Sequence, residues 1–354
     1  MKMNFDVNIG EIKPGMILGE DVINNGSLLL SKGMVIKPSY IPNLVARGVS
    51  KVAVIAEKKY SDIFLNPVQK FYAQTYECVA KLIDNLKNDY NITASDAFPV
   101  VENILETVFT NKDSILLLTG FRGKGDYYYA HSLDVCIYSL ITAKAMKLNY
   151  EETVTLGMGA LLHDVGKTKV PDSILLKKGD LTPSEFDEVK RHCIYGYDII
   201  RSIPGIRPNA AKIALQHHER CDGSGYPCHL KGEKIDTLSK IVAIADIYDA
   251  LTSDRVYREK VLPHEAAEYL LGISNSAIDS KIAKVFLENI AVYPKGCQVL
   301  LNTNQVAVVT DSNKNMPLRP ILKIISDKDG MPLQHPFEFD LQSHSNVFIV
   351  QMFN

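Results

Sequence analysis

His163-Asp164-Val165-Gly166-Lys167 opens the stretch whose reading decides this chain, and Gln216-His217-His218-Glu219-Arg220-Cys221-Asp222-Gly223-Ser224-Gly225-Tyr226-Pro227 closes it. Each follows an apolar, helix-period run: Leu156, Met158 and Leu161 before the first, Ala214 and Leu215 before the second. His192 lies between them, with His131 upstream and Asp246 downstream. One histidine on a helix is more often a satisfied core or surface residue than a ligand. The grouping carries the weight, because six of the nine histidines fall between positions 131 and 229. Imidazole and carboxylate together suit a pair of borderline divalent ions such as iron or manganese. A binuclear site of that kind most often hydrolyses a phosphoester.

Local spacing adds detail. His163 and Asp164 are adjacent at a helix end that Gly166 is suited to terminate, so one helix end presents both groups while Lys167 swings in from the turn. His217 and His218 would point about 100° apart on a regular helix. They therefore serve different metals, or the helix end relaxes to bring them together. Asp246 stands in the apolar run Ile241-Val-Ala-Ile-Ala-Asp-Ile-Tyr248, where an unpaired charge is expensive. A metal would satisfy it, and so would a buried Asp–Arg or Asp–His pair.

Outward from this stretch, residues 126 to about 289 read as all-helical, with His131–Met146, Glu151–Val165, a segment from Thr182 carrying Phe186, Val189 and His192, then Pro208–His218, Ile235–Leu251 and helices opening at Pro263 and Asp279. Upstream, Val68, Phe71, Thr75, Cys78, Val79, Leu82, Ile83 and Leu86 recur at helical spacing and form a core or dimer stripe. A second upstream helix is expected over Phe98–Phe109, and Asp113–Gly120 reads as helix or strand. The first 58 residues are β-rich, with turns at Pro14-Gly15 and Asn24-Asn-Gly26, a helix over Pro38–Arg47 and a strand from Ser50. The tail alternates again, as a hairpin over 296–310 and strands at Ile321–Ile325 and Val347–Val350. The expected fold is mainly α, an all-helical catalytic domain flanked by small β-rich N-terminal and C-terminal units. The expected divisions are 1–60 β-rich, 61–118 helical connector, 119–290 catalytic and 291–354 β-rich.

A formal net charge of -2 gives no reason to expect a general nucleic-acid or membrane-surface binder, so an anionic ligand would be met by local cations. The six cysteines contain no CxxC pair, which speaks against a zinc knuckle or a disulfide framework. No leader-like or membrane-spanning run is apparent, and a cytoplasmic, reducing location is expected.

These motifs resemble the HD-GYP family, the branch of the HD metal-dependent phosphohydrolases that acts on cyclic di-GMP. The resemblance covers residues 126 to about 275. It rests on His163–Lys167, Pro171-Asp-Ser-Ile-Leu-Leu-Lys-Lys-Gly-Asp-Leu-Thr182, His192 with Gly196, His217–Pro227, and Ala245-Asp-Ile-Tyr-Asp-Ala-Leu-Thr-Ser-Asp-Arg-Val-Tyr-Arg258. It implies metal ligation by His131, His163, Asp164, His192, His217, His218 and Asp246, with Asp164 bridging two ions. Some members hold a third ion with a glutamate one turn before the first histidine. Tyr127 stands there in this chain, beside Asp126, so two ions are expected. The family usually takes iron, with manganese a frequent replacement.

The resemblance also places Asp164 and Lys167 at the reaction, and Lys167, Tyr226, Arg255 and Arg258 at the substrate. It implies hydrolysis of cyclic di-GMP to pGpG, and in some relatives on to GMP, by a metal-activated hydroxide. Diguanylate cyclase (GGDEF) domains are partners of this surface in the family, and the stripe at 68–86 leaves room for a homodimer. The alternatives are a phosphohydrolase for another cyclic dinucleotide, a non-catalytic cyclic di-GMP sensor, and a scaffold built on the helical stripe.

Overall fold

The computed structural model describes residues 3–9, 12, 16–24, 26–56, 67–88, 90–116, 127–177, 179–253, 261–274, 276–290, 292–293, 295–313 and 316–353. The chain divides into two compact units, residues 1–74 with 121–128, and residues 75–120 with 129–354.

In the first unit, β5 (Lys51–Ala56) is the central strand, flanked by β1 (Met3–Asn8) and β2 (Ile17–Leu18). Its valines alternate inward, and Val52 and Val54 are buried with Leu18, Ile36 and Leu44. A hairpin of β3 (Val22–Asn24) and β4 (Ser27–Leu30) turns at Gly26, whose φ of 73° is one that glycine adopts without a Cβ penalty. The expected helix occupies Tyr40–Ala46. Sequence reading did not anticipate β1. Its alternating Asn4, Asp6 and Asn8 disfavour a strand locally, and it forms by antiparallel pairing with the whole of β5, from Met3–Ala56 to Asn8–Lys51. The Pro14-Gly15 turn lies outside the described residues.

The second unit carries most of the helices, and the architecture is the expected one: a mainly helical body with small β-sheets toward both ends of the chain. Most of the stripe on helix Pro67–Lys87 is core within this chain: Thr75, Val79, Leu82, Ile83 and Leu86 are buried, Phe71 is partly buried, and Cys78 is exposed. The next helix, Ala94–Leu116, is longer than expected. Pro99, which looks like a helix start in the sequence, falls inside it, and Asp113–Leu116 continue it. Helices Tyr127–Ala145 and Tyr150–Leu162 are apolar on nearly every face, as central helices must be. Asn149 and Glu152 form a reciprocal capping box that starts the second of them, with Asn149 Oδ1 accepting from the Glu152 amide at 2.9 Å.

One correction bears on the site. The segment from Thr182 is two helices, Pro183–Lys190 and His192–Ser202, divided at Arg191. His192 therefore opens its own helix instead of continuing the line of Phe186 and Val189. The reason lies in Gly166 and Gly196. A Cβ at Gly166 would overlap the His192 carbonyl oxygen and the Gly196 amide nitrogen, so backbone packs directly on backbone here.

Helices Pro208–Gln216, Thr237–Thr252, Pro263–Ile273 and Ser280–Asn289 complete the helical body. The C-terminal sheet is antiparallel, in the order β10 (Ile349–Phe353), β6 (Gln298–Leu301), β7 (Val306–Asp311), β8 (Ile321–Ser326), β9 (Pro332–Asp340). β9 escaped sequence reading because it is largely exposed and contains Pro332 and Pro336; as an edge strand it tolerates both.

Candidate metal centre

Three helix ends and one residue from each of two further helices converge on one polar pocket of the second unit. His131 comes from the first turns of helix Tyr127–Ala145. His163 caps helix Tyr150–Leu162, and Asp164 follows it into the short 3-10 turn Val165–Lys169. His192 begins its helix, His217 caps helix Pro208–Gln216, and Asp246 lies within helix Thr237–Thr252. All are buried except His218, which is partly exposed.

The two carboxylates are arranged alike. Asp164 directs Oδ2 toward His131 Nε2 and His163 Nε2, both at 3.6 Å, and Oδ1 toward His192 Nε2 at 3.3 Å and His217 Nε2 at 3.7 Å. Asp246 directs Oδ1 toward His131 Nε2 at 3.2 Å and Oδ2 toward His218 Nδ1 at 3.8 Å. Donors about 2.1 Å from a shared ion and 90–120° apart sit about 3.0–3.6 Å from one another, a range that four of these six separations meet and the other two, at 3.7 and 3.8 Å, slightly exceed. Two clusters able to hold divalent ions result. One is His131, His163 and Asp164; the other is His192, Cys193, His217 and His218. Within each, the donor atoms lie within 4.8 Å of one another.

The outer ring nitrogens fix which atom faces inward. His163 Nδ1 donates to the Ala160 carbonyl at 2.8 Å, His192 Nδ1 to Val189 at 2.6 Å, and His217 Nδ1 to Ala214 at 2.9 Å. Each Nε2 is thereby left as a lone-pair donor, the arrangement that metal-ligating histidines use. His163 Nε2 is buried without a hydrogen-bond partner, a cost of about 1–3 kcal/mol unless something binds it. The residues therefore fit a pair of divalent ions.

Ionisation points the same way. Burial is the main reason that His163 is lowered to about 4 and His192 to about 3, and it also holds His218 well below the ordinary imidazole value. These rings are neutral near pH 7. Burial works against the charge on Asp164, but Lys167 and the histidines outweigh it, and its carboxyl falls well below the usual range. Asp246 behaves similarly through His131 and His218. His131 differs. Burial opposes its protonation, yet hydrogen bonds to Asp246 and Asp249 raise it to about 9. An ion at Nε2 would take that proton's place.

His217 and His218 resolve the geometric choice left by the sequence. The helix ends at Gln216, and the two rings lie 4.1 Å apart with their donors in one cluster. Lys167 Nζ is hydrogen-bonded to Asp164 Oδ2 and remains partly exposed. The Tyr226 ring packs 4.8 Å from that of His218, forming a wall beside the cluster. Tyr127 begins its helix, while Asp126, Arg255 and Arg258 lie outside the described residues.

Two positioning residues were missed in the sequence. Asp249 is fully buried and its Oδ2 meets His131 Nδ1 at 2.6 Å. Its position three residues after Asp246, on the same helix face, was the available signal. Glu219 is buried directly after the histidine pair and accepts from the Cys228 amide at 2.6 Å and the Leu230 amide at 2.9 Å, which ties down the far side of the Gly-Tyr-Pro loop. Gly225 lets that loop fold back, since a Cβ there would overlap the backbone of His218, Glu219 and Arg220.

Comparison with known proteins agrees with this geometry. Residues 126–282 match the HD domain model, and residues 298–354 match the KOW domain associated with HD domains. Residues 126–282 are thus an HD domain, and the chain's motifs resemble those of the HD-GYP branch of that family. It is 33% identical over 245 residues to the cyclic di-GMP phosphodiesterase PA4108 of Pseudomonas aeruginosa, covering 68% of this chain and 58% of that protein. A cyclic di-GMP phosphodiesterase of Thermotoga maritima is 40% identical over 57% of each chain. The 3'3'-cGAMP-specific phosphodiesterase 2 of Vibrio cholerae is 36% identical over 45% of this chain and 31% of its own length. The chain thus spans about half the length of the curated relatives it matches. The solved structure of Bd1817, an HD-GYP-type protein from Bdellovibrio bacteriovorus, shares the fold with a TM-score of 0.52 at 16% identity, covering 80% of this chain and 98% of that one.

Proposed function

We propose that this HD-GYP chain is a metal-dependent cyclic di-GMP phosphodiesterase that opens the ring to linear pGpG and can cut onward to GMP. The observation that carries the proposal is the pair of carboxylates, Asp164 and Asp246, each with one oxygen turned toward His131 and the other toward a histidine of the second cluster. His131, His163, Asp164, His192, His217, His218 and Asp246 would hold two ions, iron by preference and manganese as a replacement, since imidazole and carboxylate donors suit both. Tyr127 at the third-metal position supports two ions over three. Such a pair supplies a hydroxide near neutral pH and a Lewis acid for the phosphoryl oxygens.

The protein's own groups do the rest. Asp164, whose oxygens face the histidines of both clusters, would hold the ions on both sides and so would not serve as a general base. Lys167, partly exposed at Asp164, is placed to meet a non-bridging phosphoryl oxygen as negative charge accumulates there. Attack at phosphorus in line with the departing 3'-oxygen leaves the phosphate on the 5' side, and the 3'-oxygen takes up a proton. Tyr226, held against His218, offers a face to the nucleotide, and Arg255 and Arg258 are assigned to the substrate phosphates. A cytoplasmic setting accords with six unpaired cysteines. Docking of a diguanylate cyclase domain on the Gly-Tyr-Pro surface belongs to the same proposal.

The Vibrio cholerae relative makes cyclic GMP-AMP the second substrate reading. Protein loaded with iron or manganese should convert cyclic di-GMP to pGpG by chromatography, faster than it cleaves 3'3'-cGAMP, and Asp164→Ala should abolish turnover. Loaded protein that cleaves neither dinucleotide, or an Asp164→Ala variant as active as the parent, would overturn the reading.

A further inference from the structure

Cys193 stands next to His192 in the first turn of its helix, fully buried. A buried cysteine is ordinarily a small apolar filler, and Cys136 behaves that way, with its sulfur 3.5 Å from the Gly157 carbonyl oxygen it donates to. The sulfur of Cys193 has a different neighbour. It lies 3.5 Å from His192 Nε2, the nitrogen whose partner Nδ1 is already committed to Val189. His192 Nε2 is also 3.3 Å from His217 Nε2.

These separations can be tested against coordination geometry. With metal–nitrogen and metal–sulfur lengths of about 2.05 and 2.3 Å, a 3.5 Å gap between nitrogen and sulfur subtends about 107° at the ion. The 3.3 Å gap between the two histidine nitrogens subtends about 107° as well. Both fall within the range that donors sharing one ion span. Cys193 Sγ further belongs to the group, with His192, His217 and His218, whose donors all lie within 4.8 Å of one another.

We infer that Cys193 is a ligand of the second ion, so that the two metal positions differ in kind: one of histidine and carboxylate, the other with a thiolate added. The inference rests on the binuclear reading above. Binding exchanges the thiol proton for the cation, and the proton leaves to solvent. Burial favours the neutral thiol and pushes its pKa up, and a coordinated cation reverses that preference because a metal-bound thiol ionises outright. The functional consequence is selectivity. A thiolate biases the second position toward softer ions, ferrous iron or zinc, and away from manganese.

The metal-free protein loaded with cobalt(II) tests this directly. Wild type should bind two cobalt ions and show a thiolate-to-cobalt charge-transfer band in the near ultraviolet. Cys193→Ser should lose that band, and Cys228→Ser, at an exposed cysteine outside the cluster, should keep it. Should Cys193→Ser fail to fold, X-ray absorption of the zinc-loaded wild type decides instead, through a sulfur shell at about 2.3 Å. Two bound cobalt ions with visible ligand-field bands but neither charge-transfer band nor sulfur shell would sink the cysteine assignment and leave the binuclear centre standing. Absence of any bound metal would overturn both.

Discussion

Gly166→Ala is the substitution that most directly tests how the site is assembled. The added methyl would meet the His192 carbonyl oxygen and the Gly196 amide nitrogen in overlap, with the His192 carbonyl carbon at 2.8 Å. Ordinary contact begins at 3.4 Å, and all three atoms are backbone, so no side chain can swing away. Helix His192–Ser202 must retreat from the 165–169 turn by on the order of an ångström, a strain of about 1–3 kcal/mol. At about 2–4 °C per kcal/mol for a domain of 150–250 residues, the melting temperature should fall by about 2–12 °C. The site should suffer more than the fold. Two donors about 2.1 Å from one ion can be at most about 4.2 Å apart. The His192 Nε2–Asp164 Oδ1 distance of 3.3 Å, opened by an ångström, reaches that limit. Calorimetry with elemental analysis of dialysed protein should therefore show a folded, less stable variant retaining fewer than two metal ions per chain. Gly272→Ala is the control: the site is exposed, nothing lies within 4 Å of the new methyl, and replacing a helical glycine should be neutral or slightly stabilising. If Gly166→Ala kept both ions and melted with wild type, backbone contact would not be what sets the distance between the clusters.

Asp249→Ala should leave the fold intact by circular dichroism yet weaken metal binding by about 10–100-fold in competition with a chelator, because His131 loses the partner that orients it; unchanged affinity would remove Asp249 from the site. The metal-free protein should be most stable near the ordinary histidine value, about pH 6.5. Below it, His163, His192 and His218 take up protons only when unfolded, so stability falls as pH drops; above it, the proton held by His131 in the fold is lost by about pH 9, so stability falls as pH rises. Chemical denaturation across about pH 5–9 checks both arms, and metal loading should abolish the upper one.

The helical body was legible because its apolar residues recur at helical spacing and its starts are marked by Thr182-Pro183, Arg207-Pro208 and Asp279. What failed locally were elements defined by their neighbours. β1 is a strand because β5 pairs with it, β9 because an edge position tolerates its prolines, and the break at Arg191 exists because Gly166 and Gly196 meet. The same division holds for the site. His131, His163, Asp164, His192, His217, His218 and Asp246 could be named from residue type and motif, and the fold brings all seven together. Glu219 and Cys193 could not, since a buried carboxylate or thiol acquires a role only once its partner's position is known, while Asp249 offered only its place on the same helix face as Asp246.

Charge bookkeeping shows why such a pocket calls for cations. Asp164, Asp246 and Asp249 each contact a histidine of the site and carry three negative charges, of which Lys167 offsets one. A remainder of two is costly in a buried setting, and the protein's own remedy is visible in His131, raised to about 9 so that it contributes one positive charge. Among the described residues that still leaves the pocket negative, the wrong sign for a phosphodiester anion. Two divalent ions in place of the His131 proton would turn a charge of minus two into plus two, or plus one with Cys193 ionised. Either way, loading makes the pocket more attractive to a phosphate. Substrate affinity, and not turnover alone, should therefore collapse on chelation; a metal-free protein that still bound cyclic di-GMP as tightly as the loaded one would contradict this electrostatic account.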